Sequence, residues 1–331
     1  MKPVTTTPPQ QGRPTARGGA LVPEAAGGVD RSGIVIVDKS AGMTSHDVVA
    51  RMRRITGTRR VGHAGTLDPM ATGVLVVGVG KATRLLGYLA LSEKDYLGTI
   101  RLGQATVTDD AEGEVVRLAQ VEEKNAIAGS LGEDALRAAL ATLTGQIEQV
   151  PPKISAIKIN GKRAYHLTRS GAAPELAARP VTVHRLDLLA VRPVAGRQDL
   201  LDIDVAVTCS SGTYVRAIAR DLGAALGTGG HLTVLRRTRV GPYEVSAART
   251  LDQLADAFEM IPLAKAAAAA FPAMHLDAGQ ARLIAHGARV QLPGGHGDEG
   301  TPMAAFAPDG TLVALIAEEE GGMQPLAVFV P

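Results

Sequence analysis

The chain has no tryptophan, four phenylalanines, five tyrosines and one cysteine, Cys209, in 331 residues. A single thiol excludes an internal disulfide framework and any multi-cysteine metal site. With aromatics at only 3%, the core must rest on Ala, Val, Leu and Ile, so a Tyr in a polar, basic setting stands out. Long apolar runs are missing as well. No stretch reaches the roughly 18 residues needed to span a membrane, and the alanine run at 266–270 is closed by Phe271-Pro272. The N-terminus lacks the apolar segment of a secretory signal. Net charge is small, 35 basic against 33 acidic side chains or +2, so any nucleic-acid footprint must lie in how charge is distributed. These absences point to a soluble, cytoplasmic protein with no membrane partner.

Residues 1–32 are rich in Pro, Gly and Thr without a hydrophobic period and read as a disordered tail. A strand is expected over 33–39. Thr44 then reads as a helix N-cap with Asp47 as its capping-box partner, and Val48, Val49, Met52 and Ile55 share one face of the helix that follows. Arg51, Arg53, Arg54, Arg59 and Arg60 form a local basic patch, which taken alone reads as a solvated helix face. Residues 62–73 are a Gly- and Thr-rich loop in which Pro69 fixes the backbone after Asp68. A helix is expected over 81–91 and a strand over 94–103, with Tyr96, Ile100 and Leu102 on one face. Further on come a helix over 131–144, strands over 181–191 and 200–208, and a tight turn at 209–216 feeding a helix over 217–226. Lys153, Lys158, Lys162, Arg163 and Arg169 make a second basic stretch, and Arg236, Arg237 and Arg239 a third. This irregular interleaving argues for an α+β fold rather than a doubly wound parallel sheet. After Phe271-Pro272, a short helix over 278–286 stopped by Gly287 and two or three strands suggest a separate, small β-rich domain. The expected division is a tail at 1–32, a large domain at 33–268 and a C-terminal domain at 269–331.

Two motifs fail on inspection. Gly78-Val79-Gly80-Lys81-Ala82-Thr83 follows a strand and opens a helix, but Thr83 stands where a dinucleotide fingerprint needs Gly or Ala. Val79 occupies the position a Walker loop gives to Lys, so no nucleotide cofactor is expected. Asp109, Asp110, Glu112 and Glu114 lack the alternation of an EF-hand and read as a solvated hairpin turn.

Asp68, in a Gly-rich loop near arginines, is by itself compatible with catalysis or with a structural cap. However, residues 62–73, Gly-His-Ala-Gly-Thr-Leu-Asp-Pro-Met-Ala-Thr-Gly, closely resemble the catalytic motif of TruB-type tRNA pseudouridine synthases. Five more segments resemble that family in order. They are Asp38-Lys39 with Gly42-Met43-Thr44-Ser45; Lys94-Asp95-Tyr96 with Arg101-Leu102-Gly103-Gln104; residues 151–158; residues 211–216; and Leu235-Arg236-Arg237. The resemblance implies a pseudouridine-synthase fold, with a central mixed, mainly antiparallel sheet flanked by helices, and a small C-terminal PUA-like β domain. It implies isomerisation of uridine to pseudouridine at position 55 in the T arm of tRNA by a stand-alone monomer without guide RNA, cofactor or metal. Asp68, Tyr96 and Arg216 are then the catalytic group. Asp68 either attacks covalently or removes a ribose proton, and Tyr96 stacks on the base, its hydroxyl (pKa about 10 when free) being a poor base. His63 corresponds to the residue that fills the space left by the flipped base, with a loop hydrogen bond as its plainer role. Leu235 walls the uracil pocket, and Tyr214 either touches substrate or supports the site from beneath. Lys39, Arg59, Arg60, Arg84, Lys153 and Lys158 are expected to contact RNA. The competing expectation is a non-catalytic RNA-binding or tRNA-folding protein on the same scaffold, and the presence of Asp68, Tyr96 and Arg216 together counts against it.

Overall fold

A computed structural model describes residues 32–116, 131–152, 158–159, 162–163, 176–291, 300–319 and 321–330. Apart from Ser32, the expected tail lies outside the described residues. So does Lys153, and only the backbone of Lys158 is described.

The chain runs through β1 (Gly33–Lys39), α1 (Ser45–Thr56), β2 (Val61–Ala64) and β3 (Thr72–Val79). A 3-10 turn (Gly80–Leu85) and the short α2 (Leu86–Leu89) lead to β4 (Lys94–Leu102), followed by the ribbon β5 (Ala105–Thr106) and β6 (Val115–Val116). Next come α3 (Glu133–Thr142), β7 (Gly145–Gln149) and a second ribbon, β8 (Lys158–Ile159) with β9 (Lys162–Arg163). A long hairpin, β10 (Arg179–Val194) and β11 (Arg197–Cys209), precedes α4 (Val215–Ala225), β12 (Gly230–Val240), β13 (Tyr243–Glu244), α5 (Leu251–Asp256), β14 (Ile261–Pro262) and α6 (Leu263–Ala270). The C-terminal elements are β15 (Ala273–His275), α7 (Ala278–Ala285), β16 (Met303–Phe306), β17 (Leu312–Glu319) and β18 (Gly322–Val328).

Ten strands form one sheet in the order β14-β1-β3-β12-β4-β11-β10-β7, with β2 also on β3 and β13 on β12. Within this sheet, among the described residues, β12 and β3 are the strands that pair in parallel, Arg236 opposite Thr72 and Arg237 opposite Gly73. The sheet is therefore mixed and mainly antiparallel. Its first strands carry apolar runs, Ile34 to Val37 and Val74 to Val77, because both faces are covered. Val35 and Val37 of β1, with Leu75 and Val77 of β3, pack with Val48 and Met52 of α1. Ile34, Ile36, Val74 and Val76 point to the other face and pack with Leu85, Leu89, Phe306 and Leu315. The C-terminal four-stranded sheet, β15-β16-β17-β18, thus shares a core with the large sheet.

The Thr44–Asp47 capping box forms in both directions, at 2.9 and 3.1 Å, and Gly57 at φ 68° ends α1. Elsewhere the structure departs from the expectations. The helix over 81–91 is broken into a 3-10 turn and one α turn, since the Leu86 amide bonds back to Thr83 rather than one residue further. The segment 230–240, given only a basic cluster from the sequence, is a strand in the middle of the sheet. The acidic turn at 109–112 is only partly solvated, since Ala111 and Glu112 are exposed but Asp110 is buried.

Candidate active site

Asp68 sits on the loop between β2 and β3, and the loop's peptides are engaged almost one by one. Gly65 takes φ 80°. The buried Ser45 hydroxyl, at the start of α1, accepts from the Leu67 amide at 2.9 Å and donates to the Leu67 carbonyl at 3.1 Å. Ala71 donates to the Asp68 carbonyl at 3.1 Å. The Lys39 ammonium donates to the carbonyls of Ser40, Met43 and Pro69 at 3.1, 2.6 and 3.1 Å. Arg237 donates to Val74, Gly65 and Thr66 at 2.7, 3.0 and 3.4 Å.

The first turn of α4 presents Arg216, 5% exposed, to this loop. Its Nε lies 2.9 Å from Asp68 Oδ2, and its Nη2 donates to Oδ1 at 3.2 Å. Nη1 donates to the Thr108 carbonyl at 2.9 Å and lies 3.3 Å from Asp110 Oδ2. Asp110 is fixed in turn by the Thr108 hydroxyl and by the Glu112 amide at 3.1 Å. Asp109, at φ 60°, pairs with Arg220 at 3.2 Å, and burial pushes its carboxyl pKa up. The turn does join the β5–β6 hairpin, and its Asp109 and Asp110 also supply the acidic half of a largely buried ion network. A guanidinium between two carboxylates keeps its charge matched out of water, where an unpaired charge costs several kcal/mol.

Asp68 and Arg216 open onto a cleft of about 330 Å³ also lined by Tyr96, Leu235, Tyr214, Lys94 and Arg237. Strand pairing explains the meeting of Tyr96 and Arg237, which are opposite one another on β4 and β12. Tyr96 is almost fully buried, and burial raises its phenol pKa, so the hydroxyl holds its proton. The Tyr214 backbone is clasped by Gln149, which accepts from its amide at 2.8 Å and donates to its carbonyl at 3.2 Å. Lys94 caps the carbonyls of Ala90 and Ser92 at 2.8 and 2.6 Å, and burial pushes its pKa down to about 8.

The remaining expected residues fall in different places. His63, on β2, lies outside this lining. Its ring meets His46 edge-on at 5.7 Å, and its buried Nδ1 has no hydrogen-bond partner among the described residues. Burial, then the neighbouring His46, lowers its pKa. Arg59 and Arg60 are exposed. Arg84 is exposed, but its guanidinium donates to the Val328 carbonyl of the C-terminal sheet. Lys39 is a correction: it is wholly buried, its ammonium is spent on loop carbonyls, and no phosphate can reach it. The third basic stretch is also spent internally, Arg236 on Asp38 at 2.7 Å and Arg239 on Asp95 and Glu93 at 2.6 and 2.7 Å. Sequence reasoning counted Arg237 only as part of a basic stretch and Asp110 only as part of a solvated turn, and gave Lys94 and Ser45 no role of their own. Arg237, Lys94 and Ser45 each lie within a quoted motif segment, and that was the available signal.

The ten-stranded sheet and the loop-borne aspartate facing a helix-borne arginine define a pseudouridine-synthase fold. Residues 53–215 match the TruB family pseudouridylate synthase N-terminal domain. The following 216–268 match the tRNA pseudouridylate synthase B C-terminal domain, and 271–330 match the C-terminal domain of tRNA pseudouridine synthase II. The chain belongs to the TruB family. It is 59% identical over 298 residues to tRNA pseudouridine synthase B of Thermobifida fusca (strain YX), covering 90% of this chain and 98% of that one. To the protein of the same name from Arthrobacter sp. (strain FB24) it is 57% identical, covering 91% and 97%. Among solved structures, a chain of a Cbf5-Nop10-Gar1 complex superposes with TM-score 0.67 at 27% identity, covering 90% of this chain and 84% of that one. A chain of an H/ACA RNP bound to a substrate RNA containing 2′-deoxyuridine gives TM-score 0.66 at 25% identity, covering 90% and 85%.

Proposed function

We propose that this chain is a tRNA pseudouridine synthase that isomerises uridine 55 in the T arm, with Asp68, Tyr96 and Arg216 as its catalytic group. The observation that carries this reading is the Asp68–Arg216 ion pair at a cleft into which the buried Tyr96 projects. The names and the near-complete alignment of the curated relatives support tRNA as the substrate. A stacked and paired base must leave its helix first, at a cost of a few kcal/mol. His63, a flat ring with an unused buried nitrogen, suits the vacated space. The flipped uracil stacks on Tyr96, with Leu235 and Tyr214 beside it. The C1′–N1 bond then breaks with its electron pair on the base, the base turns, and C5 bonds to C1′. C5 loses its hydrogen and N1 gains one, so composition and oxidation state are unchanged. Asp68 serves either as nucleophile at C1′ or as base towards the ribose. Arg216 pairs with the carboxylate and aims it at the ribose. The exposed Arg59 and Arg60, with Lys153, Lys158 and Arg84, supply cations for RNA phosphates.

We further read the protein as a cytoplasmic monomer that works without guide RNA, and divide it at 268/269 into a catalytic unit and a PUA-like C-terminal unit. Much higher identity to the tRNA pseudouridine synthase B proteins than to the RNP chains supports stand-alone action. Among the described residues no helix is long and apolar enough to cross a membrane.

The test uses unmodified tRNA transcript with wild type and with Asp68→Asn, mapping pseudouridine by derivatisation and primer extension. A single stop at position 55 with wild type, lost with the variant, is the expected result. Tight tRNA binding without a stop for either protein would replace the enzymatic reading with a tRNA-folding one.

A further inference from the structure

Arg237 heads the largest fully buried side chains, at 1% exposure, yet among the described residues no carboxylate pairs with it. Burying an uncompensated guanidinium is costly, so its donors must meet a local demand. All three nitrogens reach carbonyls of the segment that carries Asp68, and the guanidinium also lies against the Tyr96 hydroxyl. Nη2 and Nη1 reach Gly65 and Thr66 before Asp68, at 3.0 and 3.4 Å, and Nε reaches Val74 after it, at 2.7 Å. The backbone of Arg237 grips the same loop, pairing with Gly73 on β3. A Cβ on Gly73 would stand 2.2 Å from the Arg237 carbonyl oxygen, so that glycine is what lets the two chains come together. Side chain and backbone thus close the neck of the loop from one residue, across a single parallel strand pair. The guanidinium's rigid fork is suited to this, since its three nitrogens serve acceptors on either side of Asp68 from fixed directions.

We propose that Arg237 is a positioning residue for the reaction, a clasp that holds both ends of the catalytic loop so that Asp68 faces the ribose carbon in attacking geometry. The inference rests on the pseudouridine-synthase reading of the site. It does not make Arg237 an RNA contact: its nitrogens are turned to the loop, and its cleft-side neighbour is Tyr96. Its charge also weighs on the neighbourhood. After burial itself, Arg237 is the next cause lowering the proton affinity of Lys94.

The test compares wild type, Arg237→Met and Arg237→Lys in the full chain. Three quantities are measured: the affinity for unmodified tRNA, the single-turnover rate of pseudouridine formation, and the folded fraction by thermal melting. Loss of the clasp should leave RNA affinity within about twofold and lower the rate per folded molecule by about 100-fold, the scale of a misplacement near 1 Å. The Lys variant should recover about tenfold of that loss. A folded Met variant with the wild-type rate overturns the proposal, as does a rate loss matched by an equal loss of affinity. If the Met variant does not fold, the Lys variant decides, because a wild-type rate there shows that the fork is not needed. A wild type without activity would instead sink the enzymatic reading and this inference with it.

Discussion

At the residue scale, the site depends on where charge is placed rather than how much there is. Asp68 was legible through its motif, as were Tyr96 and Arg216. Lys39 was misjudged because a lysine beside a Gly turn reads as exposed. Its ammonium is instead the donor for three carbonyls, one of them next to Asp68. Burial lowers its pKa from 10.5 to about 8, partly offset by the attraction of Asp68. Between those values the folded chain binds fewer protons than the unfolded one, so the Lys39 contribution to stability rises with pH across that window. Below about pH 8 both states hold the proton and the burial penalty is constant. The stability of wild type relative to Lys39→Met should therefore climb between about pH 8 and 10, by up to roughly 1.4 kcal/mol per unit. Denaturant unfolding of both proteins across that range checks this, and a flat difference would mean that the ammonium titrates normally.

At the scale of elements, local signals were read well and non-local ones poorly. The capping box of α1 and the alternation of β4 are written within a few residues, so the sequence shows them directly. β12 was hidden because Arg236, Arg237 and Arg239 look like surface charge. They become strand residues only when Asp38, Asp95, Glu93 and the loop carbonyls arrive from distant segments. The parallel contact between β12 and β3 depends on Gly73, which combines φ 97° with the close approach of the Arg237 backbone. Gly73→Ala should cost about 1–3 kcal/mol in backbone strain alone and reduce turnover by shifting the Asp68 loop. Chemical denaturation and single-turnover kinetics measure the two effects, and a variant matching wild type in both would show that the strands separate freely.

At the scale of the whole molecule, the C-terminal sheet is more than an appended RNA contact. Phe306, Leu312, Leu315 and Phe329 lie in one apolar cluster with Ile34, Ile36, Val74 and Leu85 of the large sheet, and Arg84 bonds to Val328. Fully burying a side chain of this kind contributes about 1.5–3 kcal/mol, so removing residues 269–331 uncovers several such groups at once. The truncated chain should melt well below wild type and self-associate, rather than merely bind tRNA more weakly. Light scattering with thermal melting tests this, and a monomeric fragment with the wild-type melting temperature would show two independent units.

The sequence by itself determined the α1 cap and the α+β class and singled out Asp68, Tyr96 and Arg216, which the structure brings to one cleft, because short motifs and two periodicities express these locally. Tertiary structure alone decided which charges are free. Lys39, Arg236, Arg237 and Arg239 are basic like Arg59 and Arg60, yet each of the first four takes at least one partner 30 or more residues away in sequence. An arginine's partners are set by the packing of distant strands, and nothing in its immediate sequence records whether the nearest acceptor will be a carbonyl, a carboxylate or an RNA phosphate.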